Sequence, residues 1–576
     1  MAATRAVTMS MSRRSPGARV AGLVAATVLV AVALAGCVGI PTSGSVVAGP
    51  TIDDELAPDF VALPSGPRAG SPQEEILQDF ILAANSPQND YAIAKLFLTD
   101  ALQQSWDPDK GVIVRTGTAP ISSAGDNALE YSLTATAVVD ENGRYRQESQ
   151  PASQVRQFAF EQEGDEWRIS EAPDGIVLSQ NSFNAVFDEH ALFFFDPTYQ
   201  YLVPDVRWFP SRSTIPSRIV RALLAGPASW LQQGVVLSEF PTATALGSAD
   251  VSIRSGTATV DLTDEARSAA PIQRERMRQQ LIATLGTVST GVSTVVITVG
   301  GLPLTIPEPT ATAAVQNPTV ESAPLVSQDG TFGFATGSGI STIPELSGNV
   351  TALGATAVTL AGDKSSAALL GGDGTVYVAR TGDSAALAID TRRGLVAPSV
   401  DSLGFVWSIP GSSAPAIMAF EFDGTVHEVA STLPADARLT SFDISRDGAR
   451  ILLYLQTNVG ARLVLAGVIR QDNVPVGLGE LVDLPIGQGI PVDAAWIDNR
   501  TVATISRVAD LSLVTTFEIG GPSVALGEAD GAVTIVGGNG GTDGIRVLAD
   551  SRILRPQGSG GWQDTGLTAS LLATQQ

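Results

Sequence analysis

Cysteine is nearly absent from this chain: Cys37 is alone among 576 residues. No intramolecular disulfide and no Cys-rich metal site can form. Histidine is almost as scarce, with only His190 and His427, far apart in sequence. Zinc chemistry that needs several His or Cys ligands is therefore not expected. No cofactor motif is present. Basic residues are few, 35 Lys+Arg against 59 Asp+Glu. Four of them (Arg5, Arg13, Arg14 and Arg19) precede Cys37 in a stretch without acids, so the part from Cys37 onward carries 31 bases, 59 acids and a net charge of −28. A surface of that sign repels nucleic acid, whose binding rests on cationic contacts to phosphate. It is also repelled by anionic headgroups, so lasting membrane contact requires a covalent anchor instead of a basic patch. The same charge serves solubility. Aromatics make up only 6%.

Glycine and proline are plentiful, with 57 Gly and 34 Pro, which favours short strands joined by turns. The length predicts three or four domains. At the start, the four arginines precede an apolar run, Val20 to Ala33, of signal-peptide length and short for a spanning helix. Leu34-Ala35-Gly36-Cys37 follows and resembles the lipobox of bacterial lipoproteins. That resemblance implies acylation of Cys37, cleavage of residues 1–36 as a signal peptide, and acylation of the new N-terminus. More than one acyl chain suffices for stable anchoring. The alternative is an uncleaved anchor helix with an incidental cysteine. Arg13-Arg14 lacks the hydrophobic pair of a twin-arginine signal, so ordinary Sec export is expected.

Residues 37–70 read as a lipidated cysteine and a Pro-rich tether. At ~3.1 Å per residue it reaches on the order of 100 Å. Residues 71–180 read as an α+β domain of the NTF2/cystatin type. Ser71-Pro72-Gln73-Glu74 gives the hydroxyl, proline and acid of a helix start. A second helix is expected from Tyr91 to Trp106-Asp107-Pro108, followed by strands from Val112 to Ser170. Trp106 and Trp167 read as core, and no catalytic set is visible. Residues 185–303 form a second α+β unit. Its order of Leu192-Phe193-Phe194-Phe195, Tyr201 to Trp208, a helix stopped by Gly226-Pro227, and Val260-Asp261-Leu262-Thr263 resembles a GerMN domain. GerMN domains look like extracytoplasmic interaction modules. His190 reads as a solvated turn residue. Arg274, Arg276 and Arg278 read as a solvated helix face, with contact to an acidic partner as the other reading.

Residues 304–324 are Pro/Thr/Ala-rich and mark a linker. From 325 to 576 short strands alternate with Asp-Gly turns at 329, 373, 423, 447, 530 and 543. Steps of 44 and 50 residues between the first three turns match a propeller-blade period. Five or six blades are expected, with six favoured and the first strand closing the ring against the C-terminal segment. A pair of β-sandwiches is the alternative. Asp443 and Asp493 stand at similar positions near blade starts. A structural hydrogen-bonding role is expected for them ahead of catalysis.

The fold class expected is thus multidomain and mainly β: an NTF2-like α+β domain, a GerMN domain and a propeller. In that order, behind a lipobox and tether, the layout resembles the LpqB family of actinobacterial lipoproteins. Local matches are Cys37-Val38-Gly39-Ile40-Pro41-Thr42-Ser43-Gly44, Trp106-Asp107-Pro108, Tyr201-Leu202-Val203-Pro204 with Trp208, and Ala397-Pro398-Ser399-Val400-Asp401 with Gly404-Phe405-Val406-Trp407. Val400 departs from the aromatic expected there. The resemblance implies a non-enzymatic accessory role, anchored on the extracytoplasmic face of the cell membrane. The implied partner is the extracytoplasmic domain of an MtrB-type sensor histidine kinase, which governs envelope homeostasis and cell division. The rival expectation is a propeller that binds or processes cell-wall carbohydrate.

Overall fold

The computed structural model describes residues 64–576, apart from 213, 249, 287–290, 309–312, 338, 413–415 and 559. The expected signal peptide, Leu34, Ala35, Gly36 and Cys37, and residues 37–63 of the expected tether lie outside the described residues. Among the described residues, no helix is long and apolar enough to cross a membrane. The region from Val61 to Gln576 is one compact unit.

The N-terminal part lays the helix Gln73–Ala83 on a curved sheet. Its buried side chains are Ile76, Leu77, Phe80 and Ala83, at the spacing that gives a helix one apolar stripe. Sheet order runs Glu166–Glu171, Tyr145–Glu163, Ala128–Asp140, Gly111–Thr116, Ile176–Ser179. Leu129, Tyr131, Leu133, Ala135, Ala137 and Val139 alternate inward along the central strand, the period of a half-buried strand. Two sequence expectations are corrected. The first helix begins after Pro72, which occupies the cap position without a side-chain bond. Ser71 instead closes a turn through its N–H to the Arg68 carbonyl. The expected second helix is two short ones, Ala92–Lys95 and Asp100–Ser105. Between them the chain leaves helical geometry because Phe97 to Thr99 bond to Ile169 in the sheet. Thr99 then caps the new helix through Leu102 N–H. Trp106 is buried against Phe80, and Trp167 packs half-buried on the same core.

The GerMN region pairs Phe187–Phe195 with Leu202–Pro210. It adds a small sheet in which Thr257–Leu262 and Thr294–Val299 run parallel. Parallel neighbours need a crossover, supplied by the helix Pro271–Leu285. That helix buries polar Gln280 and Thr284 beside Met277 and Leu281. Both polar side chains are satisfied: Thr284 Oγ1 accepts from Phe193 N–H, and Gln280 donates to the Phe193 carbonyl. They complete the hydrogen bonding of a strand edge.

In the propeller, Ala357–Leu360, Ser399–Val400, Arg438–Ile444, Ile490–Trp496, Ala532–Val536 and Leu571–Gln575 each lead an antiparallel run. Leu571–Gln575 pairs with Leu325–Gln328, which joins the C-terminal strand to the first strand after the linker. At Asp373, Asp423 and Asp447 the carboxylate accepts the N–H two residues on, while the following glycine takes a positive φ. This is why Asp and Gly recur together at these turns. Asp543-Gly544 is different and ends a short 3-10 helix, Gly541–Gly544. The linker is not a free spacer in its described part: Val315 bridges to Tyr201, and Asn539 holds Val320.

Candidate functional site

Asp443 and Asp493 line a channel of about 420 Å³ between the leading strands. Each reaches across to the next one. Trp496 N–H donates to Asp443 Oδ2 at 3.0 Å, and Ile535 N–H donates to Asp493 Oδ2 at 2.9 Å. Ser399 repeats the device by accepting Ile444 N–H at 3.2 Å and donating to Asp443 Oδ1. Thr359 donates to the Pro398 carbonyl at 2.8 Å. Burial pushes both carboxyls up to about 7, against the hydrogen bonds that favour the charged form. These groups latch one run of strands to the next.

The Tyr201 to Trp208 motif sits where three regions meet. Buried Arg207 pairs with Asp205 at 2.5 Å and also donates to the Asn142 carbonyl of the N-terminal sheet. Trp208 N–H donates to the Gly143 carbonyl at 2.7 Å, and its indole N–H to the Gly520 carbonyl of the propeller at 2.8 Å. Gly143 has φ 77°, and a Cβ there would approach the Trp208 carbonyl oxygen to 2.8 Å. On the adjacent strand, Glu189 accepts from Arg500 at 3.1 Å, with Glu518 beside them. Burial and the neighbouring Glu189 push Glu518 up to about 8.

A larger cleft, about 1070 Å³, opens between the N-terminal sheet's helical side and the GerMN region. Its walls carry Asp188, His190, Ser211, Arg212 and Thr214, and its lip carries Gln88, Asn89 and Asp90. His190 lies inside the strand Phe187–Phe195 at 1% exposure. This corrects the expected solvated turn; the apolar run that follows it, Ala191 to Phe195, draws it into the pleat. Its ring stacks on Phe209, yet neither nitrogen has a hydrogen-bond partner. Burial lowers its pKa, opposed by Asp188 and Glu189, so the ring is neutral at pH 7. Arg212 is held by Asp109 at 3.1 Å and Asp90 at 3.8 Å, lies over the Tyr91 ring, and leaves its buried Nε unpartnered. Asn89, Asp90 and Tyr91 take φ of 49°, 58° and 55° in succession. Asn and Asp tolerate that region, but at Tyr91 left-handed backbone costs about 1–2 kcal/mol, and such strain gathers at functional sites.

The other singled-out residues have local partners. His427 bonds Glu421 at 2.9 Å and packs edge-on to Phe405. For Arg274 and Arg276 the expected free solvated face is corrected. Arg274 donates to the carbonyls of Ala269, Arg267 and Thr305, and Arg276 lies over the Tyr199 ring at 3.3 Å beside Glu239. Their guanidiniums brace the helix to its surroundings. Among the described residues, no group of three or more His, Cys, Asp or Glu side chains is placed to hold a metal ion. Sequence reasoning missed Asp188, Ser211, Arg212 and the Gln88–Asp90 lip. Their only sequence signal was polarity beside a strand and at a helix break.

Three family models match this chain. One, the N-terminal domain of lipoprotein LpqB, matches residues 66–184. A sporulation and spore germination model matches 191–305. The LpqB beta-propeller domain model matches 325–570. A lipoprotein LpqB of Cutibacterium acnes is 26% identical, with 92% of this chain and 95% of that one covered. One from Streptomyces coelicolor is 28% identical, covering 87% and 86%. One from Nocardia farcinica is 32% identical over 36% of this chain and 34% of its own.

Proposed function

This chain belongs to the LpqB lipoprotein family, and from that premise we propose that it is a non-enzymatic accessory of a two-component sensor histidine kinase. The kinase is of the MtrB type, and the protein meets its extracytoplasmic domain from a lipid anchor at Cys37 on the outer face of the cell membrane. Through that contact it affects envelope homeostasis and cell division. The observation that carries the reading is family likeness along nearly the whole chain, with relatives named as lipoproteins. The structure adds support from the channel. A glycan-processing propeller needs a pair of working carboxylates, ~5–5.5 Å apart for retention or ~6.5–9.5 Å for inversion. Asp443 and Asp493, which reach the channel, are held by backbone N–H groups of the next strand run. The junction around Arg207 and Trp208 presents the domains to a partner as one body.

Anchoring confines both partners to one plane, so a weak interface is occupied through high effective concentration. Two measurements test the reading. Cys37→Ala releases the protein from the membrane fraction and weakens kinase signalling while leaving its melting temperature unchanged. In vivo crosslinking of the full chain captures the kinase sensor domain. Membrane retention with normal signalling in the variant overturns the anchor, and absence of the kinase among crosslinked proteins overturns the partner.

A further inference from the structure

We propose that the cleft between the N-terminal domain and the GerMN region is a binding site for a neutral, hydroxyl-rich ligand of saccharide type. The inference stands apart from the kinase reading and from the propeller channel. It starts from His190, which is 1% exposed, lines the cleft and has both ring nitrogens unpartnered. Buried polar groups are almost always hydrogen-bonded. A neutral imidazole offers one donor and one acceptor, which matches a sugar hydroxyl pair and not a charged group. Arg212 Nε adds a second buried donor without a partner.

Charge narrows the ligand class. The Arg212 guanidinium is already paired with Asp109 and Asp90, and Arg218 shares Asp109 at 2.7 Å. Asp188 accepts from the Ser211 hydroxyl at 2.5 Å. Among the described residues the wall therefore offers no unpaired cation to a phosphate or carboxylate, whose recognition calls for free Arg or Lys donors. What remains is a close alternation of carboxamide, carboxylate, hydroxyl and neutral imidazole, from Gln88, Asn89, Asp188, Thr214 and His190. Ile215, Pro216 and Ile253 supply an apolar strip for the C–H face of a ring. A volume of about 1070 Å³ lies at the upper end of ordinary ligand sites and accommodates a disaccharide. The left-handed run at Asn89 to Tyr91 holds the lip over this space.

The test uses the full chain in a zwitterionic detergent without a sugar headgroup. Saturation-transfer NMR and calorimetry are run with diacetylchitobiose, cellobiose and maltose, and with the tripeptide Ala-Glu-Lys. At least one sugar is expected to bind. His190→Phe weakens that binding about tenfold or more. Gln88→Ala, on the exposed lip where folding is not at stake, weakens it severalfold. Val533→Trp, which narrows the propeller channel, leaves it unchanged. Three results overturn the proposal: no transfer to any of the three sugars, binding of the tripeptide alone, or sugar binding that Val533→Trp removes while the two cleft variants retain it.

Discussion

The propeller channel and the GerMN cleft both carry polar side chains deep inside the protein, and they treat them in opposite ways. In the channel every carboxylate that faces inward is tied to a backbone N–H of the next run, as Asp443 is to Trp496 and Asp493 to Ile535. In the cleft, His190 is more buried than either and bonds to nothing. Buried polarity with partners fixes a structure; buried polarity without them is a standing cost of about 1–3 kcal/mol per group. The first pattern belongs to assembly of the ring and the second to recognition. The two kinds of site are therefore separable by what a mutation changes: stability in one, binding in the other.

The sharpest way to break that comparison is at Asp401, a heavily engaged propeller carboxylate. Its Oδ1 accepts from Leu403 and Phe405 N–H at 3.0 and 2.9 Å, and its Oδ2 from the Trp407 indole at 2.9 Å and Arg470 at 2.6 Å. Asp401→Ala strands a buried guanidinium and three N–H donors. Losing one partner of a buried ion pair costs about 3–5 kcal/mol, so a large fall in the urea midpoint is expected. A variant within about 0.5 kcal/mol of wild type in urea unfolding, the scale of an unconstrained surface change, would remove the distinction on the propeller side.

His190→Phe probes the other side, with a smaller effect of opposite sign. Replacing an unpartnered imidazole by a ring that keeps the stack on Phe209 raises stability by about 1 kcal/mol, as expected when an unsatisfied buried polar group is removed. Thermal and urea unfolding read this directly. A loss of more than 2 kcal/mol would mean that the ring has a structural partner, and the cleft would then resemble the channel.

The same contrast explains what was legible in the sequence. The channel announces itself because its residues recur: Asp443 and Asp493 stand at equivalent places in repeated strands, and the first three Asp-Gly turns fall 44 and 50 residues apart. The motif ending in Trp407 was readable as a pattern, but the reason for its aspartate appears only when Asp401 meets Arg470, 69 positions away. The Tyr201 to Trp208 motif likewise looked like one strand and is in fact the junction of three regions through Arg207 and Trp208. The cleft repeats nothing. It is assembled from a helix break at Gln88 to Tyr91, alternate residues of one strand, and the loop at Arg212, so no local pattern carries it. His190 was misread because two acids precede it and mimic a turn, whereas the apolar residues after it set the burial of the whole strand.

That strand also allows the finest test, because its side chains alternate. Asp188 and His190 face the cleft, and Glu189 between them faces Arg500 and Glu518 of the propeller. The folded protein holds Glu518 at about 8, far above the unfolded value of ~4.3. The native state therefore keeps a proton that the unfolded chain has released, and stability falls as pH rises from about 4 towards 8. The slope for one such proton is at most ~1.4 kcal/mol per pH unit, and the exposure of Arg500 reduces the measured value. Glu518→Gln mimics the protonated form. It is expected to match wild type near about pH 4 and to exceed it by a growing margin as pH rises towards about 8, so that the decline flattens, read from urea unfolding at stepped pH. Glu189 acts on both sides of the strand, opposing the lowering of the His190 pKa and neighbouring Glu518, so the His190 ring titration by NMR reads whether the change reaches the cleft. A parallel decline in variant and wild type would place the retained proton elsewhere. A shift in the His190 titration would show that the junction and the cleft are coupled through this one strand.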